Sequence, residues 1–198
     1  MSTVVAAEAR PRVLADVVPH VRARDVALVV AAAALTAACA QLSFYLPGSS
    51  VPVTGQTFAV LLSGAALGAT RGGAALLLYV AVGMLGLPVY AGGGHGTHAV
   101  FGATGGYLFG FLAASWVVGR LAEARMDRTP IRALPTFVLG SAIVYAIGVP
   151  WLAISAHMDL GTAVDQGLTP FLAGDAVKAL AAAGLLPAAW SLVSRGKR

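Results

Sequence analysis

Apolar residues fill this chain in six long blocks, at 26–46, 56–70, 72–87, 105–121, 134–156 and 171–192, separated by short polar or glycine- and proline-rich intervals. A hydrocarbon core about 30 Å thick needs about 20 apolar residues at 1.5 Å each, so blocks of this length and uniformity predict transmembrane helices. The pattern therefore predicts an all-α integral membrane protein, a six-transmembrane-helix bundle. It divides the chain into a segment at 1–25, one membrane domain over 26–192 and a basic tail at 193–198. The second and third blocks are short and only Arg71 parts the second block's end from Gly72. A single long helix through both is the alternative, and a pair that dips in and returns would keep the same parity as two spans.

Charge decides between them. Arg10, Arg12, Arg22 and Arg24 precede the first block, Arg71 lies between the second and third, Arg120, Arg125, Arg128 and Arg132 surround the fourth connection, and Arg195, Lys197 and Arg198 close the chain. With six spans all of these fall on one side, and the opposite connections hold Asp159 and Asp165 but no lysine or arginine. That is the positive-inside pattern with both termini cytoplasmic. Fusing the second and third blocks would put the stretch 120–132 outside, so the hairpin is preferred.

Composition agrees. Of 198 residues 58% are hydrophobic and 11% charged, against about 25% charged in soluble domains, and the mean hydropathy is +0.82. The net charge of +5 sits at block ends without interleaved aromatics, which excludes a nucleic-acid surface. The single cysteine, Cys39, excludes an internal disulfide. Ala38-Cys39-Ala40 has the form of a signal-cleavage site, but a long leader precedes it and the apolar run continues through Leu42, Phe44 and Leu46, so the first block is read as a retained span.

The candidate chemistry is Asp175 and Lys178, two charges in the run PFLAGDAVKALAAAG. Each costs about 2.5 to 3.5 kcal/mol at the centre of a bilayer on insertion scales, and at spacing i, i+3 they share one helix face. They form either a structural ion pair or a substrate-contacting pair. Three outer connections, at 47–56, at 86–107 and one that ends in 168–175, are rich in Gly, Pro, Thr and aromatics, and such irregular backbone at membrane depth must line a cavity or be buried in protein. Their coincidence with the pair favours a substrate site for a small, neutral or anionic ligand with both donors and acceptors. His95 and His98 have no third ligand beside them, so no metal and no cofactor is predicted. Neither a G-x-S-x-G elbow nor a G-x-x-x-x-G-K-[ST] loop occurs, which argues against an enzyme and against ATP use by this chain. Alanine is dense in the first block, at Ala31 to Ala34, Ala37 and Ala38, beyond what lipid contact requires, which suggests a protein partner.

The outer motifs PVTGQTFAVLLSGAALG (52–68), GLPVYAGG (86–93), TGGYLFGF (104–111) and PFLAGDAVK (170–178) together resemble the BioY family, the biotin-specific S components of energy-coupling-factor vitamin transporters. The resemblance implies a multi-pass protein of the prokaryotic cytoplasmic (inner) membrane whose substrate is biotin. It implies that Asp175 accepts from the ureido N–H groups, that Lys178 donates to the ureido oxygen or the valerate, and that Thr54, Gln56, Tyr90, Thr104, Gly105, Gly106 and Tyr107 line or close the site. It also implies an A-x-x-x-A face, Ala33 with Ala37 or Ala34 with Ala38, that docks on a transmembrane coupling (T) protein served by separate ATPase subunits. Membrane lipid and a homo-oligomer are further partners compatible with it. Ala103 stands where the family has proline before the TGGY run. The alternative is a self-sufficient, proton-coupled secondary transporter of a small vitamin-like molecule, with Asp175 as its relay.

Overall fold

The computed structural model describes residues 12–17, 21–46, 49 and 51–195. Its elements are α1 (Arg22–Gln41), β1 (Ser43–Phe44), β2 (Val53–Thr54), α2 (Gln56–Leu67), α3 (Ala69–Met84), α4 (Thr97–Phe101), α5 (Gly105–Glu123), α6 (Pro130–Ser155), α7 (Leu160–Gly167) and α8 (Leu172–Arg195). Helices α1, α5, α6 and the stretch Leu160–Arg195 that contains α8 are long and apolar enough to cross a membrane, and α2 and α3 are shorter apolar helices. The chain is a multi-pass, helical membrane protein. The α5 window is 61% buried and that of α1 only 22%, which makes α5 the centre and α1 the rim of the bundle.

Between α2 and α3, Gly68 takes φ +84 and ψ 172 and stops the helix. A Cβ on Gly72 would lie 2.9 Å from the Gly64 Cα, whereas eight residues along one continuous helix would separate the two by about 12 Å. The chain therefore doubles back into a hairpin, and the fused helix is excluded. The hairpin lies against α5, where a Cβ on Gly64 would meet the Ser115 carbonyl oxygen at 2.6 Å.

Two expectations are corrected. The first apolar block does not run helically to Leu46: α1 ends at Gln41, where the Gly55 N–H takes the carbonyls of Cys39 and Leu42, and Ser43 and Phe44 pair antiparallel with Thr54 and Val53. The outer connections are also more ordered than read. They contain α4 and α7, and α7 starts on Asp159, whose side chain accepts from the Thr162 N–H at 3.0 Å, an N-cap legible in the residues.

Both described ends of the chain lie at one end of the bundle. The Arg128 guanidinium donates to the Arg12 carbonyl at 3.0 Å, Arg71 bridges Asp16 at 2.9 Å and Asp25 at 3.2 Å, and the Trp190 N–H donates to Asp127 at 2.6 Å. This basic end collects Arg12, Arg71, Arg128 and, in ion pair with Glu123, Arg120. Arg10, Lys197, Arg198 and residues 47, 48 and 50 of the first outer connection lie outside the described residues.

Candidate functional site

The opposite end holds a cavity of about 150 Å³ among α2, α5, α6, α8 and the connections over them. Lys178, two turns into α8, borders it. Asp175 is buried, at 6% exposure, and stands behind: one carboxylate oxygen accepts from Lys178 Nζ at 2.8 Å, the other from the Tyr145 hydroxyl of α6. Both oxygens are thus satisfied, as a buried charge requires. Lys178 has three N–H donors and gives one to Asp175, so the ammonium held by this anchor can donate into the cavity. Asp175 itself borders a second, mainly apolar groove of about 580 Å³ between α6, α7 and α8, with Tyr145 in the wall common to both spaces.

Thr54, Gln56, Tyr90, Thr104 and Tyr107 also border the first cavity. Thr54, Gln56, Tyr90 and Tyr107 are fixed from behind. The Thr54 hydroxyl accepts from the Gln56 backbone N–H at 3.3 Å, and the Gln56 amide donates to the Tyr79 hydroxyl at 2.8 Å. Tyr90 sits edge-on to Tyr79, centroids 5.5 Å apart, and donates to the Val80 carbonyl at 2.6 Å. It fits only because residue 83 is glycine, since a Cβ there would be 2.2 Å from its ring. Burial holds the Tyr90 phenol above its ordinary value, so it remains a neutral hydroxyl. Gln41 at the end of α1 donates to the carbonyls of Val89 and Tyr90, and the Tyr107 hydroxyl donates to the Gly167 carbonyl at 2.8 Å, joining α5 to α7.

Gly105 and Gly106 have a different place. A Cβ on Gly105 would lie 1.7 Å from the Val100 carbonyl oxygen and one on Gly106 2.2 Å from the Trp151 Cβ, so they seat the start of α5 against α4 and α6 beside the cavity. His95 and His98 are exposed, with rings 6.2 Å apart, and among the described residues no three His, Cys, Asp or Glu side chains group as metal ligands. On α1, Ala33 is buried and Ala37 half-buried, whereas Ala34 and Ala38 are exposed, so only the second A-x-x-x-A frame faces outward.

Reading from sequence missed Tyr145 and Tyr79. A tyrosine inside an apolar block carries a hydroxyl that needs a partner, and the carboxylate of Asp175 in another block, with acceptor capacity beyond one lysine, was the available signal for Tyr145.

Comparison with known proteins completes the description. The BioY family model matches residues 11–195. The Biotin transporter BioY of Thermotoga maritima is 40% identical over 138 residues, covering 70% of this chain and 80% of that protein. The Probable biotin transporter BioY of Pyrococcus horikoshii is 37% identical over 161 residues, 81% of this chain and 93% of that one. In fold the chain is similar to the S-component for biotin from an ECF-type ABC transporter, with a TM-score of 0.78 at 22% identity over 84% of this chain and 90% of that one. A match of nearly the whole chain to one family model, together with relatives of this identity and coverage, establishes that the chain belongs to the BioY family.

Proposed function

We propose that this chain binds biotin in the cavity bordered by Lys178 and is the substrate-specific S component of an energy-coupling-factor transporter, moving the vitamin across the cytoplasmic membrane of a prokaryote. The observation that carries the reading is an ion pair whose ammonium, held by a buried Asp175 that Tyr145 anchors, faces a small cavity walled by the family's motifs. Biotin matches such walls: a ureido ring with two N–H donors and a carbonyl, an apolar thiophane ring and a carboxylate tail. Lys178 donates to the ureido oxygen or the valerate. Asp175 reaches the ureido N–H groups by exchanging one of its present partners, Lys178 or Tyr145.

In this reading the six apolar blocks are six spans, α2 and α3 included, with the basic end and both termini in the cytoplasm. Ala34 and Ala38, the exposed frame of α1, dock on the transmembrane coupling protein, and separate ATPase subunits supply energy. The protein is a transporter, not an enzyme.

The test is titration of the detergent-purified chain with biotin beside Asp175→Asn and Lys178→Ala. The parent binds with Kd of about 1 µM or tighter. Loss of a hydrogen bond to a charged group weakens each variant about 10- to 100-fold. Parent-like binding by both variants overturns the site; no binding by the parent overturns the function. Uptake that survives ATP depletion but collapses with an uncoupler would instead support proton coupling.

A further inference from the structure

The hydrogen bonds behind the cavity wall have a direction, and it is set by a residue that does not touch the cavity. Tyr79 of α3 is fully buried, and its hydroxyl has two neighbours: the Val89 carbonyl oxygen at 3.2 Å and the side-chain amide of Gln56 at 2.8 Å. A carbonyl oxygen only accepts, so the single Tyr79 proton goes to Val89. The Tyr79 oxygen must then accept from Gln56, and of the two ends of that amide only the NH2 group donates. The chemistry of the chain, not the similarity of N and O in shape, therefore orients the amide. Gln56 is 5% exposed, borders the cavity and has no partner for Oε1 among the described residues, so its free end is a hydrogen-bond acceptor.

Three other tyrosines that border the cavity follow the same rule. Tyr90 gives its proton to Val80, Tyr107 to Gly167 and Tyr145 to Asp175. Among the described side chains bordering the cavity, the cationic donor is Lys178. A carbonyl or carboxylate therefore has its partner on α8, and an N–H has its partner at the start of α2.

We infer that Tyr79 acts as a positioning residue that fixes Gln56 as an acceptor, and that Gln56 selects ligands carrying an N–H donor. The inference rests on the biotin reading and deepens it: a ureido N–H donates to Gln56 Oε1. Tyr79→Phe removes the hydroxyl that orients the amide, which is then free to turn its NH2 toward the cavity. Gln56→Leu removes the acceptor outright.

The experiment is titration of parent, Tyr79→Phe and Gln56→Leu with biotin and with its two mono-N-methylated ureido analogues, each lacking one donor. The parent prefers biotin over one of the analogues by about 10-fold or more, the worth of a hydrogen bond left unmade in a buried site. In both variants that preference falls by about 3-fold or more, and biotin itself binds more weakly. A purely structural role for Tyr79 would weaken biotin and analogue alike and leave their ratio where it was in the parent. An unchanged ratio in Gln56→Leu, which does not depend on how well Tyr79→Phe folds, overturns the assignment. Failure of the parent to bind biotin at all is a different result, which removes the biotin reading and this inference with it.

Discussion

Among the described residues, two ion pairs with a buried carboxylate stand at opposite ends of the bundle, and they differ in what surrounds them. At the basic end Asp127 is fully buried and accepts from the Trp190 N–H at 2.6 Å, while the Arg128 guanidinium lies 3.2 Å over the Trp190 ring and donates to the Arg12 carbonyl. Neither residue borders a cavity described above. There the second Asp127 oxygen has the Arg128 guanidinium at 3.4 Å without a hydrogen bond, whereas at the other end both Asp175 oxygens accept hydrogen bonds and its partner Lys178 ends at open space. Burial of charge is common to both and marks neither as a site. Donor capacity left over beside a cavity is what separates them: the first pair holds elements together, the second holds a donor in place.

The largest effects should fall on opposite properties. Asp127→Ala leaves Trp190 without its acceptor and Arg128 without its counter-charge, and breaking a buried pair in this way costs about 3 to 5 kcal/mol. Thermal unfolding of the purified variant should show that loss, while biotin affinity of the folded protein stays at the parent value. The double variant Asp175→Asn, Lys178→Met replaces a pair by neutral groups of similar shape, which is often close to neutral for stability. It should unfold near the parent temperature and bind no biotin. If both variants lost stability alike, the two pairs would be equivalent and the distinction would fail.

A smaller effect separates the two ends along α5, which passes through both. A Cβ on Gly106 would meet the Trp151 Cβ at 2.2 Å, and one on Gly119 the Ala69 nitrogen at 2.4 Å. Overpacking of this kind typically costs about 1 to 3 kcal/mol, so Gly106→Ala and Gly119→Ala should destabilise comparably. Only Gly106→Ala should also weaken biotin, because it displaces the turn that carries Thr104 and Tyr107. Equal affinities in the two variants would show that the start of α5 does not shape the cavity.

What the sequence made legible follows distance along the chain. Asp175 and Lys178 stood out because both charges lie within one helical turn of an apolar run. The hairpin was readable from the parity of arginines, but its turn lies at Gly68 rather than at Arg71 and Gly72, and Arg71 is inside α3. Thr54, Gln56, Tyr90, Thr104 and Tyr107 came through motif resemblance, and all five border the cavity. The partners that orient them did not come through, because Tyr145 meets Asp175, and Tyr79 meets Gln56, across different helices. Only the fold juxtaposes them. The two A-x-x-x-A frames are identical as text, and one residue of rotation about α1 decides that Ala34 and Ala38 are the exposed pair. Gly105 and Gly106 came in with the same motif resemblance, and here the groups that approach them are the Val100 carbonyl and Trp151.

The smallest predicted effect is the finest probe of the basic end, where two carboxylates outside the spans are shifted in opposite directions. Burial pushes the Asp127 carboxyl above its ordinary 3.8, and the Trp190 hydrogen bond and Arg128 charge only partly offset it. Burial also pushes Asp16 up, but the Arg71 hydrogen bond, the Val13 and Arg12 N–H groups and the Arg71 charge outweigh it and leave the carboxyl below 3.8. The signs follow from linkage. The fold favours protonated Asp127, so its contribution is complete below the unfolded value and is lost as pH rises through the folded one. The fold favours ionised Asp16, so its contribution is present above the unfolded value and is lost as pH falls through the folded one. Asp127→Asn, which stays neutral and still offers Trp190 an oxygen, should therefore gain on the parent in Tm as pH rises from about 4 to 7, the range above the ordinary carboxylate value. Asp16→Asn should fall below the parent at pH 7 and approach it as the solution is acidified. Changes of a few degrees suffice, because the two trends have opposite slope. Parallel trends would mean that Arg128 and Trp190 solvate Asp127 as fully as Arg71 solvates Asp16, and the sealed pair would then differ from the cavity pair by geometry alone.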